Sequence, residues 1–268
     1  MASNFTTASA DQYELLMGRW SRRLAPKFLN FSGVADGEAV VDVGCGTGSL
    51  TFAIPEAADV KQIDGIDFSA VYAERAAALN KDPRIVIREG DACEMPFEDD
   101  TYDRALSLLV LHHIPDAPKA ISEMRRVVRP GGVVAGCVWD TYGGFPLFRM
   151  FWDTVAAVDP AAEKARHNGY FRPLAQAGEL TSAFKAAGLD DVIEDTLLIR
   201  LDFQNFEDFW EPIAAGEGPL AAYVVGQAPE HQERLKQAVS AAYESGKPDG
   251  PRSFYGVALA CRGRVPPG

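Results

Sequence analysis

The first half of the chain shows two alternating patterns of apolar and polar positions. Short runs rich in β-branched residues are apolar on both faces, as expected for parallel strands covered by helices. These predicted strands span 38–44, 60–68, 84–91 and 131–139, and a fourth in chain order starts in the run 102–111 and ends near Leu109. Segments with helical periodicity lie between them, including 69–80 and a helix that starts at Asp116 and stops at Pro130. This alternation predicts a doubly wound, mostly parallel α/β sheet.

The second half has a less regular pattern and many aromatic residues. The stretches "FPLFRMFW" and "FQNFEDFW" fall in segments that we expect to form helices over the sheet. Such residues suit a pocket for an apolar or aromatic ligand, although core packing is the commoner role for most aromatic side chains. The predicted organisation is an N-terminal helical lid (1–35), an α/β core (36–140), helical cover insertions (141–175 and 204–250) and a C-terminal part of the core sheet (176–203 and 251–263).

A helical pattern also appears near the N-terminus. Five apolar or aromatic residues recur at the spacing of one helix face, namely Tyr13, Leu16, Met17, Trp20 and Leu24. Two interpretations remain open. The helix either docks on the domain, or it covers a pocket with Tyr13, Arg19 or Trp20 in contact with a ligand.

Composition limits the classes of partner. The 268 residues carry a formal charge of −12, and a phosphate backbone or an anionic membrane binds clustered basic residues instead. We therefore expect a small-molecule substrate, neutral or cationic by this argument, with no nucleic acid and no membrane as partners. The four cysteines are far apart in sequence, which favours free thiols in a reducing compartment. Because the sequence has no secretory signal and no long apolar run, we expect a cytoplasmic location.

A glycine-rich loop follows the first predicted strand. The segment "VDVGCGTGSL" places Gly44, Gly46 and Gly48 where that strand ends, and Asp42 lies on the strand itself. Glycine allows a sharp turn and lets a ligand approach the main chain closely. A loop of this kind alone is a weak signal, so the neighbouring strands decide its meaning.

Two acidic residues end the next two strands. Asp67 follows Gly48 by nineteen residues, a spacing at which a carboxylate can bind ribose hydroxyls. Asp91 ends the third strand, where a second carboxylate can meet an adenine amino group. Because open α/β sheets bind ligands at the carboxyl ends of their strands, these residues predict one nucleoside-binding edge.

Five motifs in order resemble the class I S-adenosylmethionine-dependent methyltransferases. They are "VDVGCGTG", "GIDFS", "EGDACEMPFEDDTYD", "LVLHHIPD" and "RVVRPGG". The resemblance spans 40–138 and is closest to the small-molecule branch that includes the quinone-biosynthesis C-methyltransferases. It implies a Rossmann-like methyltransferase fold with S-adenosyl-L-methionine as the cofactor.

The resemblance also implies roles for single residues at the methionine end of the cofactor. The backbone of Gly44 and Gly46, with Asp42 nearby, would hold the methionine part. A backbone carbonyl near Leu108 would accept from its amino group.

At the nucleoside end, the resemblance assigns four contacts. Asp67 would bind both ribose hydroxyls, and Phe68 would lie against the adenine face. Asp91 would accept from the adenine amino group, and the Ala92 amide would reach a ring nitrogen.

The main rival is a dinucleotide-binding oxidoreductase, whose fingerprint is G-x-G-x-x-G/A. Ser49 stands where the third glycine or alanine of that fingerprint would be, so the rival fits less well. Pro55 departs from the methyltransferase pattern, because it falls in the helix that should follow the glycine loop. We expect it to kink or shorten that helix and to leave its N-terminus intact.

The adjacent residues His112 and His113 follow the fourth strand. They lack the i, i+4 spacing of helical metal ligands, and no cysteine or carboxylate cluster joins them, so no metal site is predicted. We interpret both as structural residues at the edge of the site. The alternative is that one of them serves as a catalytic base.

The predicted function is methyl transfer to a small, apolar or aromatic acceptor by in-line displacement. Such a reaction depends mainly on positioning and on exclusion of water. The alternative is a non-catalytic regulatory or partner subunit that binds the same cofactor.

Overall fold

Seven strands form one sheet within residues 13–216 and 218–268, which are the residues that the computed structural model describes. The strand order is β3-β2-β1-β4-β5-β7-β6. The strands are β1 (Ala39–Val43), β2 (Gln62–Asp67), β3 (Ile85–Glu89), β4 (Tyr102–Leu108), β5 (Val128–Trp139), β6 (Asp190–Phe203) and β7 (Arg252–Arg264).

The first five strands are parallel, and the last two are joined in antiparallel fashion. Strand β1 pairs with β2 and β4, β2 pairs with β3, and β4 pairs with β5, all in parallel. Strand β7 runs antiparallel between β5 and β6. The prediction of a doubly wound, mostly parallel sheet is therefore confirmed. Since β1 to β5 share one direction, their carboxyl ends meet at one edge of the sheet.

Helices cover both faces of this sheet. They are α1 (Arg19–Ser32), α2 (Ile54–Ala57), α3 (Ala70–Leu79), α4 (Ala117–Val127), α5 (Pro146–Val158), α6 (Glu163–Tyr170), α7 (Glu179–Ala186), α8 (Phe206–Ala214), α9 (Gly218–Val225) and α10 (Pro229–Glu244). Helix α3 starts at the Ser69 cap and α4 at the Asp116 cap, each of whose side chains accepts from a main-chain amide of the first turn. Both caps agree with the sequence prediction.

Two boundaries bear on the prediction. Strand β4 ends at Leu108, next to the predicted end near Leu109, and the chain then enters a short 3₁₀ helix at Leu111–His113. Helix α4 ends at Val127, and β5 begins at Val128 and runs through Pro130. Pro130 therefore lies inside β5 and not at the end of the helix. It still favours the change from helix to strand, because the residue before a proline favours extended backbone.

The helix expected directly after the glycine loop is largely absent. Residues 47–53 form successive turns, and the first α-helical residue is Ile54. Pro55 occupies the first turn of α2, where its missing N–H is tolerated. The expectation that Pro55 leaves the N-terminus of this helix intact is therefore wrong.

The predicted N-terminal helix is present over the described residues. A π-helical turn at Glu14–Gly18 continues directly into α1, in which Trp20 and Leu24 are buried. Residues 1–12 of the predicted lid, and the side chain of Leu16, lie outside the described part of the chain.

The segments predicted as a helical cover contain α5 and α6 in the first and α8, α9 and α10 in the second. Aromatic rings join them, since Trp152 of α5 lies edge-on to Tyr223 of α9 at a centroid distance of 5.9 Å. On the other side of the cover, Phe206 and Phe209 of α8 pack against Tyr243 of α10. Among the described helices, none combines the length and the apolar character that crossing a bilayer requires.

Candidate functional site

A cavity of about 410 Å³ opens at the carboxyl ends of the parallel strands. This volume falls within the roughly 300–1,000 Å³ typical of small-molecule sites. Its walls are the glycine loop, the ends of β2, β3 and β4, and the segment that leads into α1. The predicted residues that line it are Tyr13, Asp42, Gly44, Gly46, Asp67, Phe68, Asp91, Ala92, Leu108 and His113.

The glycine loop turns sharply at the floor of this cavity. Gly44 and Gly46 have φ values of +77° and +54°, a region that other residues adopt only at a cost. A Cβ atom at Gly44 would also lie within 2.8 Å of three side-chain carbons of Val110, whereas Gly46 has open space around it. Gly44 is therefore required both by backbone conformation and by the close approach of the chain after β4.

Asp67 links the glycine loop to the end of β2. One carboxylate oxygen accepts from the Gly46 amide at 2.8 Å, and the other accepts from the Ser69 amide at 2.8 Å. Burial raises the pKa of this carboxyl group. Because an ionised carboxylate offers about four lone-pair sites, it can still accept from hydroxyl groups in the cavity.

Asp42 is fully buried below the loop. Its Oδ2 accepts from the Thr51 hydroxyl at 2.6 Å, and its Oδ1 has no hydrogen-bond partner among the described residues. Burial raises the pKa of Asp42 to about 7. Thr51 has no motif of its own, so sequence reasoning missed it.

The end of β3 supplies a second acidic residue. Asp91 accepts from the Cys93 amide at 2.8 Å, and both Asp91 and Ala92 line the cavity. Phe68 is 49% exposed at the mouth, with its ring accessible to a ligand. The ends of β2 and β3 therefore bring together all four residues predicted for the nucleoside.

The N-terminal segment closes one side of the cavity. Tyr13 and Met17 line it, and the Tyr13 ring lies 5.1 Å from the ring of Tyr72 on α3. Glu14 accepts a hydrogen bond from the Thr47 hydroxyl of the glycine loop, which ties the segment to the loop. For Tyr13, this geometry favours the interpretation that the N-terminal segment covers a pocket.

Trp20 does not line the cavity. It is 1% exposed and packs edge-on against Phe203 of β6, at a centroid distance of 5.4 Å. Arg19 forms an ion pair with Asp208 at 2.9 Å and also lies outside the cavity wall. The interpretation of Trp20 as a cofactor contact is therefore corrected to core packing, because Trp20 lies on the face of α1 that packs against β6, whereas Met17 and Ser21 line the cavity.

Comparison with known proteins adds to this geometry. Residues 41–136 match a family model described as a methyltransferase domain. The segment 41–136 is thus similar to a methyltransferase domain, the name used for it below. It contains the glycine loop, Asp67 and Asp91, and ends within β5, so the match coincides with the cofactor side of the cavity.

Curated relatives of the methyltransferase domain include the demethylmenaquinone methyltransferase of Staphylococcus aureus (strain JH9). It is 33% identical over 138 residues, which are 50% of this chain and 54% of the relative. The chain thus spans about half the length of the curated relatives it matches.

Solved structures resemble nearly the whole chain in fold. The YcgJ protein of Bacillus subtilis has a TM-score of 0.58 at 17% identity, covering 93% of this chain and 100% of its own. Phosphoethanolamine N-methyltransferase 2 of Haemonchus contortus, in complex with S-adenosylhomocysteine, has a TM-score of 0.58 at 18% identity. It covers 97% of this chain and 57% of its own.

Beyond the glycine loop, the methyltransferase domain has a strained turn after β4. Leu109 has a φ of +63°, uncommon for a residue with a side chain, and its amide donates to the Cys137 carbonyl at 2.7 Å. Leu108, Leu109 and Val110 all line the cavity. Strain of this kind often lies at functional sites, yet no sequence pattern identifies Leu109 in advance.

The two histidines occupy different environments in the methyltransferase domain. His113 lines the cavity, whereas His112 is 4% exposed and lies behind it, with the ring centroids 4.1 Å apart. Burial lowers the pKa of His113 to about 3 and that of His112 well below its usual value, and the nearby Arg172 cation adds to both shifts. Both imidazoles are therefore neutral and weakly basic at neutral pH.

Arg172 is a site residue that sequence reasoning missed. It follows α6 in the first cover segment, and its Nη1 lies 3.2 Å from His113 Nδ1. No pattern marks it in the sequence, since it comes from a segment 59 residues away from its contact.

No three histidine, cysteine or acidic side chains of the described residues converge as a metal site would need.

Proposed function

We propose that this protein binds S-adenosylmethionine and transfers its methyl group to a small apolar or aromatic acceptor. The observation that carries the proposal is one cavity that joins the glycine loop and Asp67 to a second, mostly apolar end. The methyltransferase domain match supports the choice of cofactor.

The cofactor end has groups that fit this ligand. The buried Asp42 Oδ1 lacks a partner, and an ammonium group nearby would stabilise its ionised form. The amides of Gly44 and Gly46 already donate to the Ile66 carbonyl and to Asp67. The main chain at these two glycines would contact the methionine part, and the Leu108 carbonyl would accept from its amino group. These assignments would satisfy buried polar groups that otherwise cost free energy.

The nucleoside would lie along the ends of β2 and β3. Asp67 keeps lone pairs for two ribose hydroxyls after its bonds to Gly46 and Ser69. The half-exposed Phe68 ring would stack on adenine, and Asp91 with the Ala92 amide would recognise its amino edge. Tyr13 would cover the same part of the ligand from the lid.

S-adenosylmethionine supplies a methyl group already activated by a sulfonium. The acceptor gains this methyl group, loses a proton, and S-adenosylhomocysteine remains. The chain's own task is then to align the acceptor and to exclude water, which the lid residues Tyr13 and Met17 support.

The reaction would proceed without a strong base from the protein. His113 is the imidazole on the cavity wall, and with a pKa of about 3 it holds a proton poorly near neutral pH. We infer that the acceptor either arrives ionised or releases its proton to solvent. Both histidines keep the structural role, and His113 also shapes the acceptor end.

The acceptor end of the cavity is lined mainly by apolar groups. We assign to it Leu109, Ile114, Pro115, Trp139 and His113, all of which line the cavity. An apolar or aromatic body would bury its surface there at about 25 cal/mol per Å². This supports a small-molecule acceptor over a charged polymer.

The test is formation of S-adenosylhomocysteine with a panel of phenols, catechols, aromatic amines and activated carbon acids. We expect stoichiometric formation of S-adenosylhomocysteine and of a methylated product with at least one member. Asp67→Ala serves as the control, because it should reduce turnover at a fixed, subsaturating cofactor concentration. Tight cofactor binding with no turnover on any acceptor would favour the non-catalytic alternative.

A further inference from the structure

Arg172 presents an unpaired positive charge beside the acceptor end of the cavity. Its guanidinium contacts the His113 ring, with Nη1 3.2 Å from Nδ1 and 3.4 Å from Nε2. The described residues place no carboxylate within ion-pair distance of it. Burial alone lowers its pKa to about 10, with no acidic group acting on it.

Such an arrangement is costly unless an anion completes it. A guanidinium withdrawn from water loses hydration free energy, and a hydrogen bond to a neutral imidazole compensates for only part of that loss. Other arginines of the same cover segment are paired, since Arg166 binds both Glu163 and Asp153 at 2.8 Å. Arg172 thus differs from its neighbours in having no carboxylate partner.

The charges around the cavity are unevenly distributed. Asp42, Asp67 and Asp91 belong to the cofactor end, and no lysine or arginine is among the described residues that line the cavity. Among the described residues, Arg172 contacts the wall at its His113 side. An acceptor with an anionic group would therefore turn that group towards Arg172 and away from the carboxylates.

We propose that Arg172 is a specificity-determining residue that binds an anionic group, a carboxylate or a phosphate monoester, on the methyl acceptor. This inference rests on the proposed function, because it names the acceptor class for the same cavity. Arginine suits the task, since its planar fork pairs with both carboxylate and phosphate oxygens. The cation would place the anionic end of the acceptor at the His113 side, leaving the other end at the cofactor.

The net charge of −12 favours neutral or cationic substrates at long range. That field is screened over about 8 Å at physiological ionic strength. The interaction of a bound anion with the partly buried Arg172 guanidinium at the cavity wall is screened much less, so the local charge decides which acceptor binds. We therefore infer an acceptor with an anionic group, although the net charge of the chain predicts a neutral or cationic substrate.

The experiment compares three probes of similar shape: benzoate, phenyl phosphate and neutral benzamide. Affinities are measured by ligand-observed NMR, with and without saturating S-adenosylhomocysteine. We expect one or both anions to bind the natural protein at least tenfold more tightly than benzamide. Arg172→Gln should abolish this preference, Arg172→Lys should restore part of it, and the tighter anion identifies carboxylate or phosphate.

Arg166→Gln is the matched control, because it removes a paired arginine of the same segment and should keep the preference. Equal binding of the anions and benzamide, no binding of any probe, or a preference retained in Arg172→Gln would each overturn the inference. S-adenosylhomocysteine affinity is recorded for every variant. If the natural protein does not bind S-adenosylhomocysteine, the proposed function is contradicted. The preference for anions measured without S-adenosylhomocysteine still tests the role of Arg172.

Discussion

Asp67 connects two of the structures that form the cofactor end of the cavity. It accepts from the amide of Gly46 in the glycine loop and from the amide of Ser69 at the start of α3. Its carboxylate is therefore held in one orientation before any ligand arrives. Preorganisation of this kind lowers the entropy lost on binding.

Replacing Asp67 with alanine should weaken S-adenosylmethionine binding by about 1.5–3 kcal/mol, the typical value of hydrogen bonds to a charged group. The loss has two sources, the ribose contacts and the restraint on Gly46. Isothermal titration measures it. Glu74→Ala on the exposed side of α3 is the control and should bind normally, while an unchanged affinity in Asp67→Ala would remove Asp67 from the site.

Asp42 should make cofactor binding depend on pH. Because burial raises its pKa to about 7, the carboxyl group is mostly protonated below that pH and cannot attract an ammonium group. Affinity for S-adenosylmethionine should therefore rise between pH 5.5 and 7.5, by up to about tenfold per unit below pH 7. Titrations across this range should show the slope reduced in Asp42→Asn, and an identical slope in that variant would contradict the role.

At the scale of elements, the glycine loop depends on the chain that follows β4. Val110 occupies the space where a side chain at Gly44 would lie, and Leu109 before it has a left-handed backbone. The end of β4 and the loop after β1 are therefore fitted to each other. Neither can change its backbone without displacing the other.

Gly44→Ala should destabilise the fold and reduce cofactor affinity more than Gly46→Ala does. Both substitutions strain a left-handed backbone, at about 1–2 kcal/mol each, but only the first also collides with Val110. Chemical denaturation and cofactor titration of the two variants test this difference. Gly44→Ala combined with Val110→Ala should recover part of the loss, and equal effects of the two single variants would refute the collision.

The parts of the site that could be predicted from sequence are those carried by strand ends. Asp67 and Asp91 end apolar runs, and parallel strands bring such ends to one edge, so their meeting follows from pattern alone. Thr51, Tyr72 and Arg172 could not be predicted in this way. Their positions depend on turns, on helix orientation and on a cover segment whose packing is not periodic.

At the scale of the whole molecule, the acidic charge limits which partners can compete for the cavity. We expect no binding of RNA or duplex DNA at about 0.15 M salt, because the net charge of −12 repels a phosphate backbone. Fluorescence anisotropy with labelled oligonucleotides measures this directly. Binding that weakens as salt is raised would contradict the expectation and would reopen the class of substrate.

The glycine loop, the chain at the ends of β2 to β5 and the N-terminal segment together form one cavity. Most residues proposed for the cofactor lie within the methyltransferase domain, and the proposed acceptor end takes residues from the turn after β4 and from the end of β5. Specificity for the acceptor should therefore depend on the turn after β4, on Trp139 and on Arg172 beside His113, while cofactor binding should depend on the glycine loop and on the ends of β2 and β3.

Binding of S-adenosylmethionine in the cavity is tested most directly by isothermal titration of the protein with S-adenosylmethionine and, separately, with NAD. We predict saturable 1:1 binding of S-adenosylmethionine, weakened in Asp67→Ala, and no heat of binding with NAD. Binding of NAD alone, or of neither ligand, would contradict the account.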